Sequence, residues 1–172
     1  MSDLFLAEPS SEYKRSFENY VLAYKRINDN YYFNKYKSAL ENYEGYLNNV
    51  YYYSKENNLP EGEVATSTFW LIDEKEVVGV VRVRHQEVEC AGHIGYDISP
   101  DYRNRGYGAQ ILKLALIKAR ELGIEEAIVT CNIDNIASKK IIEKSNGKLL
   151  GTIFDEEENE WLYKYSIAVT YY

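Results

Sequence analysis

The sequence predicts an α/β (α+β) fold in which a mixed central sheet is flanked by helices. Over residues 13–53, apolar residues recur at intervals of three and four, which is the spacing of amphipathic helices. Over residues 66–83, β-branched and aromatic runs are separated by a polar turn, as in a hairpin. A further strand at 92–98 leads through a polar turn into a long amphipathic helix. Elements mixed in this way favour a sheet covered by helices.

The predicted order is strand, two helices, three strands, helix, strand, helix, two strands. The segments are 3–7, 13–27, 34–53, 68–72, 77–83, 92–98, 106–122, 126–131, 135–147, 148–154 and 161–165. At 172 residues, the chain suits a single domain over 1–172. Within it, residues 1–60 supply a strand and two helices, residues 66–151 the core, and residues 152–172 the C-terminal strand region.

Composition and charge exclude several functional classes. The net charge of −7 opposes nonspecific binding to nucleic acid, because such binding relies on neutralising phosphates. No apolar run approaches the roughly 18 residues that span a bilayer, so no membrane partner is expected. Two cysteines are too few for a disulfide framework, which favours a cytoplasmic location. The abundant tyrosines suit half-buried or interface positions, and exposed ones make a homodimer reasonable.

The stretch between the strand at 92–98 and the helix that follows has the features of an anion site. Gly106 and Gly108 leave room for a ligand to approach the backbone closely. The first N–H groups of the helix have no intrahelical partner, and the helix dipole adds partial positive charge. Arg103 and Arg105 add two full positive charges beside them. These features indicate an anion site that suits a pyrophosphate.

Two common phosphate motifs do not fit this stretch. Ile111 stands where the dinucleotide fingerprint needs its third glycine, and no Gly-Lys-Ser/Thr follows as in a P-loop. The run Arg103-Asn104-Arg105-Gly106-Tyr107-Gly108 instead resembles the Arg/Gln-x-x-Gly-x-Gly/Ala signature of the GNAT acyltransferase superfamily. The resemblance implies that these six residues bind the pyrophosphate of coenzyme A. The co-substrate that it implies is acetyl-CoA.

The resemblance extends to the order of elements over the whole chain and is strongest over residues 93–151. Asn135-x-Ala-Ser138 is similar to a second cofactor segment of bacterial GNAT enzymes, and the surrounding sequence to an uncharacterised bacterial branch. By this resemblance, the backbone at Ile98 and Ser99 would pair with the pantetheine arm, and the Ile98 amide would polarise the thioester carbonyl. Asn135 and Ser138 would contact the cofactor as well. Their alternatives are a plain helix N-cap and a helix hydroxyl.

The general base is open between several residues. Acetyl transfer requires a neutral amine, so a group must remove a proton from the incoming ammonium. His93 lies on the strand that feeds the loop, and an imidazole titrates near neutral pH. Asp97, Glu89 and His85 are alternatives, as is a water that passes the proton to a more distant carboxylate. A lone histidine is more often a structural hydrogen-bonding group.

The general acid departs from the family pattern. Many GNAT enzymes place a tyrosine on the helix after the asparagine, where its hydroxyl meets the sulfur of coenzyme A. The corresponding position here is Ile142, which cannot donate a proton. Tyr96 is a candidate for the acid, or the thiolate leaves without one, because a free thiol has a pKa near 8.5.

No metal site is expected, since His85, Cys90 and His93 match no standard spacing of zinc ligands. Cys131 follows a buried strand with no base partner, so packing explains it better than nucleophilic catalysis. This favours direct transfer in a ternary complex.

The resulting hypothesis is an N-acetyltransferase that moves an acetyl group from acetyl-CoA to an amine of a small molecule or peptide. Residues 1–60 would shape the acceptor site. The alternatives are a noncatalytic acyl-CoA-binding or regulatory module and an acyltransferase with another acyl group or acceptor.

Overall fold

The structure, a computed structural model, describes residues 3–172. Its strands are β1 Phe5–Ala7, β2 Thr66–Asp73, β3 Glu76–Val88, β4 Gly92–Ile98, β5 Glu126–Asn132, β6 Lys148–Asp155 and β7 Glu160–Ala168. Its helices are α1 Lys14–Arg26, α2 Asn30–Tyr36, α3 Ser38–Glu41, α4 Tyr43–Tyr53, α5 Tyr107–Glu121 and α6 Ile136–Lys144. Short 3₁₀ turns lie at Ser11–Tyr13, Pro100–Tyr102 and Val169–Tyr171. Within this range no helix is long and apolar enough to cross a bilayer.

The seven strands form one mixed sheet in the order β1-β2-β3-β4-β5-β7-β6. Neighbouring strands are antiparallel except β4 and β5, which are parallel because α5 carries the chain across between them. Glu74 and Lys75 adopt positive φ in the turn between β2 and β3, as a tight hairpin requires. The predicted fold class, a mixed sheet flanked by helices, is confirmed.

The predicted helix over 34–53 is wrong in its continuity, because the segment forms α2, α3 and α4. Asn42 leaves the helical conformation, with φ −149° and ψ 88°. Its side-chain Oδ1 accepts a hydrogen bond from the amide of Gly45 at 2.9 Å and so caps α4. A side chain that caps a helix competes with continuation of the preceding one, which is why asparagine favours such positions. Asp29 caps α2 in the same way.

The two faces of the sheet carry separate apolar clusters, as the alternation of side chains along strands requires. Helices α1 to α4 cover one face, where Phe17 stacks on Trp70 with ring centroids 4.2 Å apart. Helix α5 covers the other face with its fully buried residues Ile111, Leu112, Ala115, Leu116 and Ala119. Ile142 of α6 joins this second cluster.

A buried carboxylate joins the first helical layer to the end of β4. Asp97 is 6% exposed and accepts four side-chain hydrogen bonds. The donors are Tyr20 Oη at 2.6 Å, Tyr24 Oη at 2.8 Å, Tyr36 Oη at 2.6 Å and Arg82 Nη1 at 3.1 Å. Burial first, and the charge of Asp97 second, raises the pKa of Tyr20 and Tyr24 well above the usual range. These two hydroxyls therefore remain protonated donors at any physiological pH.

We expect Asp97→Asn to lower the free energy of unfolding by about 3 kcal/mol, because it leaves the buried Arg82 guanidinium without its counter-charge. The side chains of this pair are 13% and 3% exposed, for Arg82 and Asp97 respectively. Asp101→Asn is the matched control. It breaks the Arg26–Asp101 pair, whose side chains are 57% and 53% exposed, and should cost less than about 1 kcal/mol. Urea unfolding followed by circular dichroism measures both, and equal small losses would contradict the assignment.

Candidate active site

A groove of about 990 Å³ runs across the sheet where β4 and β5 separate. Within the described residues, these strands pair at Ile94 and Val129 alone. One side of the groove is lined by Tyr96 of β4 and by Asn135 and Ser138 at the start of α6. The other side is lined by residues of α2 and β3, among them Tyr32 and Arg84. The groove is therefore bordered by both layers of helices.

The backbone of β4 presents free amide groups to this gap. The amide of Ser99 donates to the carbonyl of Val78 on β3 at 3.0 Å. Because the residues of an antiparallel ladder bond alternately to one side and the other, the amides of Tyr96 and Ile98 point away from β3, toward β5. The carbonyl of Ile98 accepts from Tyr24 Oη at 3.1 Å and from Arg103 Nε at 3.3 Å.

The loop after β4, for which the sequence predicts an anion site, carries exposed polar and charged side chains. Buried Ser99 accepts the amide of Asp101 with its Oγ, at 3.4 Å, and so caps the 3₁₀ turn that follows. Arg103 and Asn104 are exposed, and Asn104 adopts φ 62°. Arg105 is also exposed, with its guanidinium carbon 5.4 Å from the centroid of the Tyr102 ring.

Gly106 precedes α5 in the left-handed region, with φ 83°, and a Cβ there would meet open space. The first backbone bond of the helix joins the amide of Gln110 to the carbonyl of Gly106, at 3.4 Å. The amides of Tyr107 and Gly108 thus precede the hydrogen-bonded part of α5 and have no intrahelical acceptor. The loop does not line the groove itself, but it adjoins it. A Cβ on Gly108 would lie 3.9 Å from the ring of Tyr96 and 2.7 Å from Ile141.

Tyr96 projects into the groove from the face of β4 that α5 covers. Its hydroxyl is buried and has no hydrogen-bond partner among the described residues. Burial raises the pKa of Tyr96 to about 12, while the neighbouring Ser138 opposes the shift without reaching ordinary hydrogen-bond geometry. The phenol is therefore a protonated donor that lacks an acceptor. Ile142, fully buried, lines the same part of the groove and contributes no polar atom.

Asn135 and Ser138 lie at the start of α6, where they line the groove together. Asn135 Oδ1 accepts the amide of Ser138 at 3.1 Å, so the asparagine does cap the helix. The cap leaves the amide nitrogen of the Asn135 side chain available to a ligand, since only Oδ1 is used. The two alternatives for Asn135, cap and ligand contact, are therefore compatible in one residue.

The two residues proposed as a base on β4 lie outside the groove lining. His93 Nδ1 accepts the amide of Ile128 at 2.9 Å, which joins β4 to β5, and burial lowers the pKa of the ring. Asp97 faces the tyrosines of α1 and α2 on the opposite side from Tyr96. Four hydrogen bonds occupy its carboxylate, which leaves it poorly suited to accept a substrate proton. His85 binds Ser67 and Glu56 instead, whereas Glu89 does line the groove.

The groove contains charged residues that the sequence analysis did not single out. Its positive residues are Lys35, Arg82 and Arg84, and its acidic residues besides Glu89 are Asp155, Glu156, Glu157, Glu158 and Glu160. The alternation Arg82-Val-Arg84 in an otherwise apolar strand could have indicated that one face of β3 turns polar there. Among residues 3–172, no three His, Cys, Asp or Glu side chains are grouped as metal ligands would be.

Several solved structures share this fold at low sequence identity. The ribosomal-protein alpha-N-acetyltransferase RimL in complex with coenzyme A aligns with a TM-score of 0.74 at 17% identity, covering 96% of this chain and 93% of its own. The microcin self-immunity acetyltransferase MccE in complex with acetyl-CoA and AMP has a TM-score of 0.72 at 13% identity, covering 96% and 92%. A spermidine N-acetyltransferase chimera from Vibrio cholerae and hSSAT has 0.65 at 15%, covering 99% and 98%.

At the sequence level, comparison with curated proteins finds no significant match. The family model for the acetyltransferase (GNAT) domain, however, matches residues 10–148, which is most of the chain and includes the loop and the start of α6. The chain therefore belongs to the GNAT family and is an acetyltransferase of that type.

Proposed function

We propose that this protein transfers an acetyl group from acetyl-CoA directly to an amine of a small molecule or peptide, with both substrates bound at once. The observation that carries the proposal is the gap between β4 and β5, which opens the sheet to both layers of helices. The donor would enter from the side of α5 and α6, and the acceptor from the side of α2. The structural relatives RimL and MccE, which bind coenzyme A and acetyl-CoA respectively, support this choice of donor.

The loop from Arg103 to Gly108 would hold the pyrophosphate of the donor. The free amides at the start of α5 and the two exposed arginines supply donors and positive charge at one point. The pantetheine arm would then run along β4, where the outward amides of Tyr96 and Ile98 need acceptors. An arm that carries its own amide groups can pair there as an added strand does. Asn135 and Ser138 would bind it from the opposite side.

The thioester would lie against Tyr96. A backbone amide of β4 would polarise the carbonyl as its oxygen gains charge during attack. The Tyr96 hydroxyl would donate a hydrogen bond to the departing sulfur. Its pKa of about 12 exceeds that of a free thiol, near 8.5, by more than three units, so the phenol stabilises the thiolate without surrendering its proton.

An acyl-enzyme intermediate fits the site poorly. Cys131 lines the groove, but burial raises the pKa of its thiol, which opposes the thiolate that nucleophilic attack requires. The same holds for Cys90, whose pKa is raised by lost solvation and by the acidic residues around it. Direct attack by the amine avoids this step. The proton of the ammonium would leave through water to the acidic side chains that line the groove, among them Glu89, one of the alternatives to His93 in the sequence analysis.

Titration calorimetry with acetyl-CoA, with NADH and ATP as controls, tests the donor. We expect selective binding of acetyl-CoA, and its loss in Gly106→Trp, because the indole would occupy the space beside the free amides of α5. Gly123→Trp is the matched control. Gly123 follows the C-terminus of the same helix with φ 81° and equally open surroundings, so the backbone strain is alike in both variants. Unchanged affinity in folded Gly106→Trp would refute this placement of the pyrophosphate.

We expect Tyr96→Phe to reduce kcat at least about tenfold while leaving the free energy of unfolding unchanged or slightly higher. Removal of a buried hydroxyl that lacks a partner relieves a desolvation cost of about 1–3 kcal/mol. The loss in kcat should be smaller than the roughly hundredfold or greater loss expected when a general acid is removed, because Tyr96→Phe removes only a hydrogen bond.

Steady-state kinetics and urea unfolding measure both effects of Tyr96→Phe. Tyr163→Phe is the control, because Tyr163 packs against the same cluster without lining the groove. If Tyr96→Phe retained full kcat, the Tyr96 hydroxyl would have no role in the reaction, whatever the effect of the substitution on stability.

A further inference from the structure

The side chains of two arginines converge above Gly95 of β4, on the side of α2 from which the acceptor would enter. A Cβ built on Gly95 would lie 3.5 Å from both Nη1 and Nη2 of Arg84 and 3.6 Å from Nη2 of Arg82. Both arginines come from β3, two positions apart, and so point to the same face of the sheet. Because Gly95 has no side chain, both guanidinium groups lie close over the strand, at about the distance where a single Cβ would touch them.

Only one of these two arginines has an ion-pair partner among the described residues. Arg82 binds Asp97, but Arg84 forms no ion pair with any residue in the described range 3–172. Burial, and then the adjacent Arg82, lowers the pKa of Arg84 to about 10. Like charges held together in a partly buried site are unfavourable without a counter-ion. Lys35 adds a third positive group to this part of the groove.

Hydrogen-bond donors in the cluster also remain unused. Arg82 Nε is buried and has no partner among the described residues. Arg84 donates from Nη1 to the carbonyl of Ala91 at 3.1 Å, which leaves most of its five N–H groups for other acceptors. A planar guanidinium with free N–H groups matches the oxygen pairs of a carboxylate or phosphate.

We propose that Arg84, assisted by Arg82 and Lys35, forms a subsite above Gly95 for an anionic group of the acceptor, a carboxylate or a phosphate. The acceptor would then be an amine that carries such a group, as an amino acid or an amino phosphate does. This inference rests on the proposed function and adds the chemical class of the acceptor to it.

The position of the subsite places the anionic group of the acceptor on the face of the sheet opposite to the Tyr96 ring, because Gly95 and Tyr96 are successive residues of β4. The amine of an acceptor held on Arg84 would therefore reach the thioester through the gap between β4 and β5. The acidic residues of the groove, Glu89 and the tip between β6 and β7, lie on other elements and would face the ammonium.

A polycationic acceptor fits this arrangement poorly. A polyamine would be attracted to the acidic tip but would meet three positive side chains where the groove reaches β4. The spermidine N-acetyltransferase that shares the fold is therefore a useful contrast, because its acceptor class is the one that the arginine pair disfavours.

The experiment compares amines in matched pairs that differ in the anionic group. Each of the twenty amino acids is paired with its α-amide, and O-phosphoethanolamine with ethanolamine, while spermidine represents polycations. Values of kcat/KM with saturating acetyl-CoA are expressed per concentration of neutral amine, since the amides have lower amine pKa values. We expect the anionic member of at least one pair to be preferred about tenfold or more. The amino acid and phosphate arms separate the two kinds of anion.

Variants connect the preference to the arginine. In Arg84→Gln, the ratio of kcat/KM between the anionic member of the preferred pair and its partner should fall to within about twofold of one. Arg84→Lys should retain part of the preference. Arg15→Gln, at an exposed position of α1, is the control, since it removes the same charge outside the groove and should retain the ratio. Circular dichroism verifies that each variant is folded.

The outcomes separate this inference from the proposed function. If wild-type protein binds acetyl-CoA but prefers the amides or spermidine, or if Arg84→Gln keeps the preference, the anionic subsite is refuted and the acetyltransferase proposal stands. If no amine is acetylated, the same pairs are titrated calorimetrically into protein saturated with coenzyme A. Equal affinity for the two members of each pair, or no binding of either, refutes the subsite. If acetyl-CoA itself does not bind, both fall.

Discussion

The buried charge of Asp97 is the constraint on which the arrangement of this molecule depends. A carboxylate taken out of water must be surrounded by donors, and here three tyrosine hydroxyls and one guanidinium fill that role. Two of the tyrosines belong to α1 and one to α2, so the helical layer is held to β4 by polar contacts as well as apolar packing. Tyr24 also donates to the carbonyl of Ile98, at the point where the strand leaves the sheet for the loop. The position of the loop therefore depends on the N-terminal helices.

The gap between β4 and β5 follows from a second constraint. Backbone amides inside a sheet need acceptors, and an unpaired strand edge favours the addition of another extended chain. Within the described residues β4 and β5 are in register only at Ile94 and Val129, although β3 and β7 pair extensively with their own neighbours. Such an edge is costly unless water or a ligand satisfies it. The proposed position of the cofactor arm, in the interior of the sheet and not at its rim, would give these backbone groups hydrogen-bond partners.

Much of the fold was predictable from local sequence patterns. The apolar periodicity of a helix or strand, and the glycine that marks a turn, can be read from residues that lie close together in the sequence. The strand, loop and helix around Gly106 were predictable for this reason, as was the cap at Asn135. The break at Asn42 was not, since an asparagine that caps one helix looks like any polar residue in a longer one. The role of Asp97 was also beyond reach, because its tyrosine partners lie 61 to 77 positions away in the sequence. The hydrogen bond from the Ile128 amide to His93 Nδ1 was hidden from the sequence for the same reason, since 35 positions separate the two residues.

Two buried polar groups without hydrogen-bond partners among the described residues support the proposed positions of the two substrates. The Tyr96 hydroxyl of β4 and Arg82 Nε of β3 are buried without hydrogen-bond partners among the described residues, and both residues line the groove, on opposite faces of the sheet. A buried polar group without a partner costs about 1–3 kcal/mol, so a stable protein tolerates few of them. Arg82 is retained for its ion pair with Asp97, whereas packing alone would favour phenylalanine at position 96. In the proposed function the two faces of the sheet would serve two ligands, with the sulfur of the donor next to Tyr96 and an anionic group of the acceptor next to Arg82 and Arg84.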